Sequence, residues 1–196
     1  MRILWVDTET TGIDPLDSSI FELAAILVDN GKVLCERCFW LNPLSETIIY
    51  HEDAGKVHGY TKEQIESFTP EKEEVPIIAS FFEESRELFQ SDGSKRELCY
   101  IAGYNVSFDY GHIAALLDRN GYKMSDYFKP VVFDVFEQVK RAGAAKRLPY
   151  LENRKLVTVA KSLNVVHEKA HDALSDIRTT RQVAIELQKK GIPLII

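Results

Sequence analysis

The chain has 196 residues, 45% of them apolar and 28% charged, with a net charge of −6. That balance excludes a disordered chain, and the length suits one α/β core better than two. No apolar run is long enough to span a bilayer, the chain opens on a strand-like segment instead of a signal peptide, and Cys35, Cys38 and Cys99 make no disulfide framework; a cytoplasmic protein with no membrane partner is expected.

Ile3-Leu4-Trp5-Val6 is a continuous apolar run, the pattern of a strand buried on both faces. Residues 19–28 predict a second strand, and Asn30-Gly31 a tight hairpin into a third strand over residues 32–41. Cys35 and Cys38 lie three apart in that third strand, so their side chains should point to opposite faces, which argues against a zinc half-site or a redox pair. Val75, Ile78, Ala79, Phe82 and Phe89 then recur at helical spacing. Residues 98–104 read as another strand, followed by a helix over 107–120 that Gly121 stops. A short strand at 131–133 runs into a helix near Phe136. Residues 156–163 and 172–190 are helical, the second ended by Gly191 and Pro193. A meander of strands followed by strands alternating with helices implies a single α/β domain over residues 1–196.

Charge is spread unevenly. Residues 1–100 carry a net −11 and residues 101–196 a net +5. Lys140, Arg141, Lys146, Arg147, Arg154, Lys155 and Lys161 form a basic stretch that either tracks phosphates or is an ordinary solvated surface.

Three acidic motifs carry the chemistry. In Val6-Asp7-Thr8-Glu9-Thr10-Thr11-Gly12, directly after the first strand, alternation puts Asp7 and Glu9 on one face. Two poorly solvated carboxylates side by side repel, and a hard divalent cation, magnesium or manganese, relieves that repulsion. A plain surface turn is the competing reading. In Asn105-Val106-Ser107-Phe108-Asp109, Asp109 falls four residues before Ile113 on the apolar stripe of the helix, as a ligand or as a cap. In His171-Asp172-Ala173-Leu174-Ser175-Asp176, Asp176 shares the inward face of the last helix with Ala173 and Thr180, His171 stands just ahead of it, and Asp172 suits the helix start.

Together these motifs resemble those of the DEDDh 3′→5′ exonuclease family, which includes the proofreading subunit of bacterial DNA polymerase III and ribonuclease T. Val57-His58-Gly59 and Lys155-Leu156-Val157-Thr158-Val159-Ala160 are similar to two further family segments, so the likeness spans almost the whole chain. The resemblance implies an RNase H-like fold: a mixed five-stranded sheet with helices on both faces. It implies two magnesium or manganese ions held by Asp7, Glu9, Asp109 and Asp176, with His171 as general base. It also implies contacts to the terminal nucleotide from Thr10 and His58, with Asp53 at the place of a substrate-contacting acid. Ile13 and Phe108 offer apolar faces for bases, although core packing suits Phe108 better. The expected partner is the 3′ end of single-stranded nucleic acid, with a DNA polymerase as a further candidate; DNA and RNA are not told apart.

Two rivals are a haloacid-dehalogenase-like phosphatase and an inactive scaffold of the same fold. The first expects a second Asp where Glu9 stands, and the second expects loss of a site residue, yet all five are present.

Overall fold

The computed structural model describes residues 1–88 and 96–194. Its first three strands, β1 (Arg2–Thr10), β2 (Ile20–Asp29) and β3 (Lys32–Asn42), form the expected antiparallel meander. Asn30 and Gly31 turn β2 into β3 with φ of 48° and 85°, the positive pair that a two-residue hairpin needs. Next come α1 (Glu52–His58), α2 (Lys62–Glu66), β4 (Thr69–Pro70) and α3 (Glu71–Ser85). Phe89, expected on the stripe of that last helix, lies outside the described residues. A small ribbon of β5 (Glu87–Leu88) and β6 (Arg96–Glu97) precedes β7 (Cys99–Gly103), α4 (Ser107–Arg119), a 3-10 turn at Met124–Asp126, and β8 (Phe128–Asp134). The chain closes with α5 (Val135–Ala144), α6 (Leu156–Ser162) and α7 (Ala173–Lys189).

The main sheet has the order β4-β3-β2-β1-β7-β8, with β7 parallel to both β1 and β8. Six strands replace the five expected. The extra strand, β4, is two residues pairing at Leu41↔Thr69 and Asn42↔Pro70. It is too short to show alternation, and its proline, which has no N–H to give a ladder, fits only an edge. The helices α1 and α2 were not anticipated either. Each is under two turns and lacks an apolar stripe, although Thr61 and Gln64 form a capping box at the start of α2.

Strand alternation splits the interior in two. Leu4, Val6, Leu23 and Ala25 pack with Val75, Ile78 and Phe82 of α3 and Ile113 and Leu116 of α4. Trp5, Ala24 and Ile26 pack with Val139, Val159, Ile177 and Val183 of α5, α6 and α7. Each Val, Leu, Ile or Phe among these contributes on the order of 1.5–3 kcal/mol on burial, so the two layers clamp β1 from both sides. Cys35 and Cys38 join opposite layers, as their spacing predicts. β7 lies so close to β1 that a Cβ on Gly103 would sit 2.8 Å from the carbonyl oxygen of Val6. Among the described residues no helix is long and apolar enough to cross a membrane.

Candidate active site

The site forms where β1 outruns its neighbour. β7 pairs with β1 through Trp5↔Ala102, then turns at Asn105 (φ 57°) into α4. The far end of β1 therefore meets the N-terminal turns of α4 on one face and α7 on the other. Thr8 points to the α4 side, where its hydroxyl donates to Asp109 Oδ1 at 2.7 Å. Asp109 is 4% exposed, and burial, opposed by the Thr8 hydroxyl and by backbone amides, lifts its carboxyl to about 7. Asp109 lies in the first turn of α4, where it accepts its own backbone N–H as well as this bond, while the N-cap, Val106, makes no side-chain bond.

Asp7 and Glu9 share the opposite face. Burial, then the charges of Asp109, Asp176 and Glu9, hold the Asp7 carboxyl well above the usual carboxylate range. Burial, then Glu22, Asp176 and Asp109, push Glu9 up to about 8. Glu22 pairs with Glu9 across the β1–β2 ladder and is 2% exposed. One of its oxygens accepts the Cys38 thiol at 3.3 Å; the other, Oε2, has no hydrogen-bond partner. Sequence reading did not single out Glu22, although a lone acid inside the apolar run of β2 was a visible signal.

α7 supplies the rest. Asp172 caps it, accepting the Ser175 N–H at 3.1 Å. Asp176, one turn in, accepts the backbone N–H of His171 at 3.3 Å on Oδ2. His171 is exposed and holds a left-handed φ of 61°. Ligand atoms of Glu9, His171 and Asp176 lie within 4.8 Å of one another. A second histidine, His167, also missed in the sequence, places Nε2 2.5 Å from Asp176 Oδ1.

The expected substrate residues divide. The Thr10 hydroxyl is turned inward onto the carbonyl of Gly12 at 2.6 Å. Beside the cluster, Gly12, Ile13, Asp17, His51, Asp53 and Val57 help line a groove of about 540 Å³, with Ile13 83% exposed at its lip. Asp53 is there too, but its carboxylate is taken by Lys56 at 2.6 Å. His58 is buried against Phe21, ring centroids 4.7 Å apart. Its Nδ1 accepts the Tyr60 N–H at 3.0 Å, its Nε2 has no partner, and burial, then the charge of His171, lowers it to about 4. Phe108 is half-buried, packs on His112 at 4.4 Å, and joins neither core layer.

The donor set suits a divalent cation. Carboxylates that burial and mutual repulsion keep from ionising regain charge beside positive charge, and carboxylate oxygens are the donors that a hard divalent cation takes.

The sequence profile of the RNase T-type exonuclease family matches residues 4–184. The chain is 25% identical over 191 residues to the 3′-5′ exonuclease DinG of Bacillus subtilis, covering 96% of this chain and 18% of that protein. It is 30% identical over 192 residues to a PolC-type DNA polymerase III of Lacticaseibacillus paracasei, covering 94% of this chain and 11% of that one. In the fold comparison, E. coli exonuclease I in complex with a dT13 oligonucleotide matches with a TM-score of 0.76 at 22% identity, over 97% of this chain and 41% of the other. The chain thus spans less than half the length of each of these proteins. Matched by the family profile over most of its length, the chain belongs to the exonuclease family.

Proposed function

We propose that the chain is a single exonuclease domain that hydrolyses the terminal phosphodiester at the 3′ end of single-stranded nucleic acid, releasing nucleoside 5′-monophosphates with the help of two magnesium or manganese ions. The observation that carries this reading is the convergence of Asp7, Glu9, Asp109, Asp176 and His171 at one end of β1. When bound there, such cations would supply an activated water and a counter-charge for the departing 3′ oxygen. Asp7, Glu9 and Asp176 would hold one ion, and Asp7 with the support of Asp109 would serve the second. His171, exposed and beside Glu9 and Asp176, takes the proton from the attacking water. His58, kept neutral by burial, and the groove at Ile13 receive the last nucleotide. The dT13 bound by exonuclease I favours DNA as the first substrate to try.

Oligonucleotides labelled at the 5′ end, in matched DNA and RNA, test this. A ladder shortening from the 3′ end in magnesium or manganese, absent in EDTA and in Asp7→Ala, is expected. Intact oligonucleotide under every condition would leave the domain as an inactive binder or scaffold.

A further inference from the structure

We propose that His167 is a positioning residue for Asp176: it fixes that carboxylate for cation binding and, through it, fixes His171. The inference rests on the cation-dependent reading above. His167 lies in the connector between α6 and α7, most of which faces solvent: Val166 is 78% exposed, and Glu168, Lys169, Ala170 and His171 are all exposed. Over residues 166–171 only the His167 side chain turns in, at 8% exposure, and it brings Nε2 to 2.5 Å from Asp176 Oδ1. A carboxylate accepts, so the proton of this bond sits on Nε2 of His167.

Asp176 is thereby held at both oxygens by one connector, Oδ1 by the His167 ring and Oδ2 by the His171 backbone. Each oxygen keeps a lone pair for a cation, the arrangement in which a second residue orients a ligand without touching the metal. Asp176 stands on the first turn of α7 with its side chain 16% exposed, against the like charges of Asp7 and Glu9. Losing the His167 bond lets it swing from Glu9 and releases the amide that keeps His171 at its left-handed φ. The connector does not depend on His167 for attachment. The Lys169 N–H donates to Ser175 Oγ at 3.1 Å, Lys169 Nζ reaches Asp172 Oδ2 at 3.1 Å, and Asp172 caps the helix on its own. Simple packing of the connector would need none of this geometry at Asp176.

The test reads Mn2+ binding to substrate-free protein by electron paramagnetic resonance, beside the cleavage rate and the melting midpoint in EDTA. His167→Leu is expected to weaken Mn2+ binding and lower kcat by roughly 10–100-fold each, the usual effect of losing such a partner, with KM for the oligonucleotide unchanged. His167→Gln, whose amide N–H can stand in for the ring N–H, should restore most of both. In an Asp176→Asn background His167→Leu should change Mn2+ binding no further. Wild-type binding and rate in His167→Leu overturn the proposal. So does a loss that glutamine fails to rescue, or one that persists beside Asp176→Asn, since either means that His167 acts through the fold or as a ligand itself. If His167→Leu loses its melting transition, His167→Asn decides instead: its amide is too short to reach Oδ1, so it should behave as the leucine variant was expected to. Mn2+ binding that follows this pattern in a protein that degrades no oligonucleotide would sink the exonuclease reading and leave this one standing.

Discussion

Glu9→Gln should make the metal-free protein more stable at neutral pH, which is the reverse of what loss of a structural carboxylate does. Glu9 is 9% exposed, faces Glu22 across the ladder, and is held at about 8 against 4.5 for a free glutamate. Because the folded value is raised, the contribution to stability is full below pH 4.5, declines as pH rises, and levels off above about 8. From pH 4.5 to 7 the span is 2.5 pH units at about 1.4 kcal/mol each, or roughly 3 kcal/mol lost by pH 7. Glutamine keeps the shape without the charge and escapes this loss. For a domain of this size that corresponds to a melting midpoint roughly 6–12 °C higher than wild type in EDTA at pH 7, shrinking towards nothing near pH 4.5. Thermal melts in EDTA across pH 4.5 to 8.5 measure it, and excess manganese should reverse the order by stabilising wild type selectively. Parallel pH profiles for the two proteins, or a wild type that gains stability as pH rises, would show that Glu9 is a satisfied structural acid.

Two further outcomes are expected. His171→Ala should lower the cleavage rate by roughly 10²–10⁴-fold while Mn2+ binding persists through the carboxylates, as for loss of a general base; a matching loss of Mn2+ affinity would make His171 a ligand, which its distance from Glu9 and Asp176 permits. Gly12→Ala should raise KM for short oligonucleotides more than it lowers kcat, because a Cβ there would lie 2.3 Å from His51 Cδ2 and 2.9 Å from Ser18 Cβ and must displace the turn that carries Ile13. Adding His51→Ala removes the 2.3 Å contact but not the one to Ser18, so it should relieve part of the defect, and a double variant no better than the single would refute the steric account.

Local chemistry was enough to read most of the framework from the chain. The run Ile3-Leu4-Trp5-Val6, the Asn30-Gly31 turn and the stops at Gly121 and Gly191, both at left-handed φ, mark β1, the β2–β3 hairpin and the ends of α4 and α7. Asp109 on the buried stripe of α4 and Asp176 on the first turn of α7 follow from helical spacing alone. Other features needed the assembled fold, because their cause lies between segments distant in sequence. β4 exists only because β3 offers it an edge; α1, too short for an apolar period, is held by His58 against Phe21 and Tyr60, and α2 by buried Ile65. Glu22 enters the acidic cluster because the strand register sets it opposite Glu9, and a register one residue off would turn it to the other face. His167 reaches Asp176 because the connector folds back over the start of α7, a path fixed by hydrogen bonds at Lys169 and Asp172 that no periodic pattern announces. Spacing tells which face a side chain takes, whereas which partner it meets there is decided by the close packing of elements that only the tertiary structure brings together.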